Sequence, residues 1–211
     1  MGERDVAKGA VARGGDPLAA LTPAMNAGVL AGLTASRSTE ALLLVLDGSG
    51  SMVGAPWAEL HEAVEELARR SSRARCCMGL VVFGGTADLC ASFTDDFELV
   101  AATLPAGAPG GGTGVREALT LAGSLPWPAG ARRVVLMSDG MPTTGDPIPA
   151  AAHLAGLGVV IDTVACGMGA DEEVLRALAE TGHGRFVPCN RVGDLTRVFA
   201  ALETRVRGLL P

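Results

Sequence analysis

The chain has 211 residues, 48% apolar and only 3% aromatic, which is enough for one domain with a full core built mainly of Ala, Val and Leu, plus an appendage. Its net charge is −6, with +1 on residues 1–38 (Arg4, Lys8, Arg13 and Arg37 against Glu3, Asp5 and Asp16) and −7 on the remainder. That balance argues against nucleic acid or an anionic lipid surface as a partner and suits a surface that attracts a cation. No apolar run approaches the ~20 residues that span a bilayer. The opening MGERDVAKG carries acids and no apolar segment, so no secretory signal is expected and the chain is expected to be cytoplasmic.

Residues 1–38 are rich in Gly, Ala, Pro and small polar residues and hold the one lysine of the sequence, Lys8. Leu18, Leu21, Met25 and Val29 hint at a short helix with a weak apolar face. This stretch reads as an N-terminal extension, either disordered or docking on a partner, ahead of a domain spanning 39–211.

Leu42–Leu46 has the length and composition of a strand buried on both faces, as in a parallel sheet. It runs into Asp47-Gly48-Ser49-Gly50-Ser51, where three hard oxygen groups fall within five residues on a backbone loosened by glycine. Such groups suit a small divalent cation. A strand followed by a Gly/Ser turn with Asp47 as a cap would account for the same letters.

Pro56–Ser71 follows as an amphipathic helix, with Trp57, Leu60, Val64, Leu67 and Ala68 on one side and Glu59, Glu62, Glu65 and Glu66 on the other. Cys77–Phe83 and Ala87–Phe93, joined at Gly84-Gly85, read as a hairpin whose second strand is an antiparallel edge. Asp95–Leu104 reads as a short helix with capping acids.

The loop PAGAPGGGTG, 105–114, contains fragments of two phosphate-binding motifs. A P-loop needs Lys followed by Ser or Thr after its last glycine, and Val115-Arg116 stands there instead. A dinucleotide loop follows a strand directly, whereas here a helix precedes. Thr113 is left presenting a hydroxyl at the start of the helix Val115–Ser124, for a ligand or as an N-cap.

Arg132–Met137 is a fourth strand and runs into Ser138-Asp139-Gly140, a second aspartate placed as the first one is. Side by side, these strands would bring Asp47 and Asp139 to one edge of the sheet, where paired carboxylates need a proton or a cation between them. The loop after them, MPTTGDP, shapes the rim. The helix Pro149–Leu157, the strand Val159–Ala165, the helix Asp171–Thr181, the short strand Gly184–Val187 and a final amphipathic helix over Leu195–Val206 complete the chain. The alternation predicts an α/β, doubly wound sheet with helices on both faces.

The five cysteines are odd in number, contain no C-x-x-C pair, and the three histidines lack zinc spacing. They read as small buried apolar residues in a reducing compartment, with a Cys76–Cys90 pairing on adjacent strands as the weaker option.

D-G-S-G-S at 47–51, Thr113 within its glycine loop and S-D-G at 138–140 together resemble the von Willebrand factor type A domain and its metal-ion-dependent adhesion site. The segment VVIDTVACGMGADEEVLRALAETGHGRF is similar to that family's closing strand–helix–strand, and the resemblance covers about residues 40–207. It implies a mostly parallel six-stranded sheet in the order 3-2-1-4-5-6 with one antiparallel edge strand. It also implies a metal site of Asp47, Ser49, Ser51, Thr113 and Asp139, taking Mg²⁺ or Mn²⁺ ahead of Ca²⁺. By that likeness Ser49 and Ser51 would bind the ion directly, Thr113 directly or through water, and Asp47 and Asp139 through waters and hydrogen bonds to the serines. A partner's Asp or Glu would complete the coordination. The chain resembles compact stand-alone intracellular bacterial members, which work beside MoxR-type AAA+ ATPases or in stress and metal-resistance systems. In relatives, ligand engagement moves the last helix, a part that Leu195–Val206 would play.

The function expected is therefore a metal-dependent protein-binding module and not an enzyme. One alternative is a Mg²⁺-dependent phosphoryl-transfer or hydrolytic enzyme using Asp47. The haloacid-dehalogenase type of phosphatase needs a second Asp two positions later, where Ser49 stands, and His153 and His183 are expected away from the DGSGS edge. The other alternative is a structural scaffold with an unoccupied metal site, its function lying on the helices or the tail.

Overall fold

In the computed structural model the described residues are 40–71, 76–139, 141–167, 169–189 and Val198. Strand β1 (Glu40–Asp47) is followed by a 3-10 turn (Gly50–Met52), helix α1 (Ala55–Ser71), the hairpin β2 (Cys76–Phe83) and β3 (Ala87–Thr94), and helices α2 (Phe97–Ala102) and α3 (Val115–Ser124). Then come β4 (Ala131–Ser138), α4 (Ile148–Gly156), β5 (Val159–Cys166), α5 (Glu172–Thr181) and β6 (His183–Cys189). The six strands form one sheet in the order β3-β2-β1-β4-β5-β6. The β2–β3 pair is antiparallel and the other pairs are parallel. The doubly wound sheet expected from the alternation is the fold observed.

Strands β1 and β2 are buried on both faces, which is why they read as unbroken apolar runs. Leu44 and Leu46 face Trp57, Leu60 and Val64 of α1 and Phe97 and Val100 of α2. Ala41, Leu43 and Val45 face the other way, into a cluster with Val115 and Leu119 of α3, Leu154 of α4 and Leu175 and Leu178 of α5. Each fully buried Leu contributes roughly 1.5–3 kcal/mol of transfer free energy, which ties the central strands to both helix layers.

Helix ends follow their capping chemistry. Asp96 and Asp171 stand just before α2 and α5 rather than inside them, each accepting the amide of the residue three positions on, Leu99 at 2.9 Å and Val174 at 3.1 Å. Arg69, near the end of α1, pairs with Glu66 at 2.6 Å.

At the start of the sheet a buried ionic group joins four strands. Asp162, fully buried on β5, accepts from the Arg133 guanidinium of β4 and from the Arg185 amide of β6 at 2.9 Å. Arg133 also lies 3.6 Å from Glu40 of β1. Burial raises the Glu40 carboxyl above its ordinary value, with Arg133 pulling the other way.

Cys76, Cys77, Cys166 and Cys189 are buried and Cys90 is half-buried, and no disulfide joins them. The suggested Cys76–Cys90 pairing does not form. The β2–β3 ladder runs from Phe83↔Ala87 to Met78↔Thr94, with register shifts on either side of Leu80, and Cys76 lies beyond it. The register instead sets Cys166 beside Cys189. The two outermost strands are each irregular, since β3 carries those shifts and β6 carries Pro188 and a shift between Ile161 and Thr163. The short helix suggested by Leu18, Leu21, Met25 and Val29 and most of the final helix expected at 195–206 lie outside the described residues; Val198 is helical and packs against the α1 side of the core.

Candidate metal centre

Strands β1 and β4 are parallel neighbours in the register Leu46↔Met137, so they end together. Their ends carry Asp47 and Ser138, both fully buried. Asp47 Oδ1 accepts the Ser49 amide at 2.8 Å, and Asp47 Oδ2 accepts the Ser138 hydroxyl. The first of these bonds bends the chain out of β1, as an aspartate does when it bonds the amide two residues on. Burial raises the Asp47 carboxyl above its ordinary range. The Ser138 hydroxyl and the Ser49 amide oppose the rise, and the nearby Asp139 adds to it.

The hydroxyls of Ser49 and Ser51 lie 3.1 Å apart, and Ser51 Oγ donates to Asp139 Oδ1 at 2.8 Å. A hydroxyl carries one proton, so with the Ser51 proton on Asp139, Ser49 donates to Ser51. Lone pairs on both serine oxygens then remain available. Ser49 is buried and Ser51 is exposed, so the pair reaches from the interior to the surface.

The glycine loop lies against this turn. Gly110 donates its amide to Gly48 O at 2.8 Å, Gly50 donates to Gly111 O at 3.2 Å, and Gly114 donates to Gly84 O at 2.7 Å. The approach is so close that a Cβ on Gly84 would meet Gly110 O at 2.1 Å, and Gly111 takes a φ of +83°. Helix α1 fixes the start of this loop: Trp57 Nε1 and His61 Nε2 both reach the Pro105 carbonyl, at 2.9 and 2.7 Å. A carbonyl only accepts, so Nε2 of His61 carries the proton.

Thr113 is buried at 6% exposure. Its amide donates to Thr143 Oγ1 at 2.8 Å, and the Thr143 amide donates back to Thr113 O at 3.0 Å. Thr144 donates to Glu117 in the first turn of α3, which extends the same join. The helix cap itself is Gly114, without a side-chain bond, so Thr113 is not an N-cap. Among the described residues its hydroxyl has no hydrogen-bond partner.

Of the sequence-identified residues, hydrogen bonds join Ser49, Ser51 and Asp139 directly. Asp47 joins through the Ser49 amide and Ser138. Thr113 joins through its loop, which is bonded to the serine turn on one side and to Thr143 on the other. The S-D-G and P-T-T letters do not by themselves mark Ser138, Thr143 and Thr144 as holding the site; only the register of β1 against β4 and the packing of two loops give those hydroxyls their partners.

The donor set fits a hard divalent ion. It holds hydroxyl and carboxylate oxygens, with a buried Thr113 hydroxyl that has no partner among the described residues, and such ligands suit a hard divalent cation. Among the described residues no group of three or more His, Cys, Asp or Glu side chains forms a rival metal site.

The family model described as von Willebrand factor type A domain matches residues 41–200, and the chain belongs to that family. Solved structures agree on the fold. The conserved hypothetical protein BatB from Bacteroides thetaiotaomicron superposes with a TM-score of 0.68 at 19% identity, over 80% of this chain and 98% of that one. A von Willebrand factor type A protein from Catenulispora acidiphila gives 0.68 at 17% identity, over 81% of this chain and 43% of that one. Proximal thread matrix protein 1 from the mussel byssus, described with a zinc-occupied MIDAS motif, gives 0.66 at 17% identity, over 79% of this chain and 45% of that one. No curated protein matches the chain in sequence.

Proposed function

We propose that this domain is a metal-ion-dependent protein-interaction module that takes an acidic side chain of a partner at the Ser49–Ser51–Asp139 site. The observation that carries the reading is the bonded run Ser49–Ser51–Asp139 beside the buried Asp47, at the edge where β1 and β4 end. Ligands of open α/β sheets bind at that edge. Asp47, Ser49, Ser51, Thr113 and Asp139 would hold the ion, with Mg²⁺ or Mn²⁺ favoured by their oxygen chemistry. A bound ion would supply a positive charge that the neutral hydroxyls leave under-compensated, and would so favour an external carboxylate. Asp47 orients Ser49 through its amide, and Asp139 orients Ser51.

A binding role rather than a catalytic one is supported by the placement of all three histidines away from the serines. His61 is committed to the Pro105 carbonyl, while His153 sits on α4 and His183 opens β6. The mussel relative described with zinc in its MIDAS motif is consistent with a divalent ion here. As setting we propose the cytoplasm, since five cysteines with no disulfide among them fit a reducing compartment. We propose a bacterial multi-protein system for the partner, involving a MoxR-type AAA+ ATPase or a stress or metal-resistance system. Residues 1–38 would be an extension outside the binding domain.

The test is thermal unfolding with Mg²⁺ or Mn²⁺ against chelator, paired with affinity capture under the same conditions. The expected result is a metal-dependent rise in the unfolding midpoint and a metal-dependent partner, both lost in Asp47→Ala and Ser51→Ala. Equal unfolding with and without metal would overturn the proposal.

A further inference from the structure

Five large apolar side chains are exposed among the described residues, and the two most exposed are Met141 at 66% and Val53 at 61%. Both stand at the candidate centre. Val53 lies two positions after Ser51, and Met141 lies two positions after Asp139. Ser51 and Asp139 are themselves joined at 2.8 Å, so the two apolar side chains are carried by the two chain segments that meet there. The other three, Leu89, Leu99 and Leu157, sit on β3, on α2 and on the turn after α4.

The loops around the centre are also short of charge. Residues 48–54, 84–86 and 105–114 contain no ionisable side chain, and 139–146 contains only Asp139 and Asp146. No lysine or arginine occurs in any of them. Arg116, at the start of α3, is paired with Glu117 at 2.6 Å. A partner's carboxylate therefore meets no cationic side chain from these loops, and an acidic run would face Asp139, Asp146 and a chain of net charge −6. Exposed Val and Met side chains gain when a partner covers them, and the centre of an interface is more apolar and poorer in charge than its rim.

We propose that Val53 and Met141 select the partner, which presents one carboxylate set between apolar side chains rather than an acidic run. This rests on the proposed function, since the carboxylate is the group taken at the metal centre. The backbone of the Val53 segment is held independently of its side chain, because the Val53 amide bonds Gly50 O at 3.4 Å. Changing the side chain therefore leaves the serine turn in place.

The test is a displayed library of short peptides with a fixed central glutamate and random flanks, selected on the full chain in Mg²⁺ and again in EDTA. The result expected is Mg²⁺-dependent enrichment of Leu, Ile, Val, Met or Phe beside the glutamate by about tenfold over Ser or charged residues, as burial of a Val or Met side chain predicts. The double variant Val53→Ser, Met141→Ser should lose that flank preference. It should keep both the Mg²⁺-induced rise in unfolding midpoint and the requirement for glutamate. Acidic, basic or random flanks in Mg²⁺ would overturn this inference and leave the proposed function standing, as would an unchanged flank preference in the double variant. Capture that ignores EDTA would overturn both.

Discussion

Ser138 holds the inner oxygen of Asp47, a carboxylate with no exposed surface. Removing one partner of a buried charged group leaves a desolvated acceptor, at a cost of about 1–3 kcal/mol. Ser138→Ala is therefore expected to lower stability by that amount in urea unfolding and to weaken Mg²⁺ binding, while the outward-facing Ser51→Ala should weaken Mg²⁺ with little effect on the metal-free protein. Equal losses of metal-free stability in the two variants would contradict these roles. At the other end of the sheet, Arg133 is the cation facing the buried Asp162. Arg133→Met should cost about 2–3 kcal/mol, somewhat under the usual figure for breaking a buried pair, because the Arg185 amide still bonds Asp162.

The elements that carry the site are fixed by loop-to-loop bonds more than by the strands themselves. The reciprocal Thr113–Thr143 pair and the Thr144–Glu117 bond tie the glycine loop, the loop after β4 and the first turn of α3 into one unit. Thr143→Val removes the hydroxyl that receives the Thr113 amide, so Mg²⁺ affinity should fall by about tenfold, one hydrogen bond's worth of positioning, with the far-ultraviolet circular dichroism unchanged. The Thr144 hydroxyl holds the Glu117 carboxyl below its ordinary value, with the Arg116 guanidinium adding to the effect. A depressed carboxylate contributes stability that is present above its unfolded value and is lost as pH falls through its folded one. The Glu117 carboxyl titration followed by NMR should therefore lie below the ordinary glutamate range and move up towards it in Thr144→Val.

At the scale of the whole molecule, a ligand that binds only the folded state adds stability by mass action. At metal concentrations about a hundredfold above Kd this is ~2.7 kcal/mol. For a chain of this size that raises Tm by roughly 5–10 °C. The large frame was legible in the sequence because burial on both faces writes strands as unbroken apolar runs and amphipathic helices as periodic ones. Leu42–Leu46 and Arg132–Met137 each lie within observed strands, and their adjacency brings Asp47 and Asp139 to one edge. Pairing details were not legible in the same way. A shifted register near Leu80 decides that Cys76 misses Cys90, and the β1–β4 register decides that Asp47 meets Ser138. Those are relations between segments distant in sequence, and no local pattern encodes them.

The irregular outer strands bear on how anything attaches to this domain. A recruit that adds itself as another strand needs a continuous row of free amides and carbonyls along a sheet border. At one border β3 breaks that row with its shifted pairing, and at the other Pro188 has no amide hydrogen to offer. Backbone zippering is thus discouraged on both flanks, and the proposed recognition would fall to the side chains at the crest of the sheet, where one loop can be altered without rebuilding the scaffold beneath it.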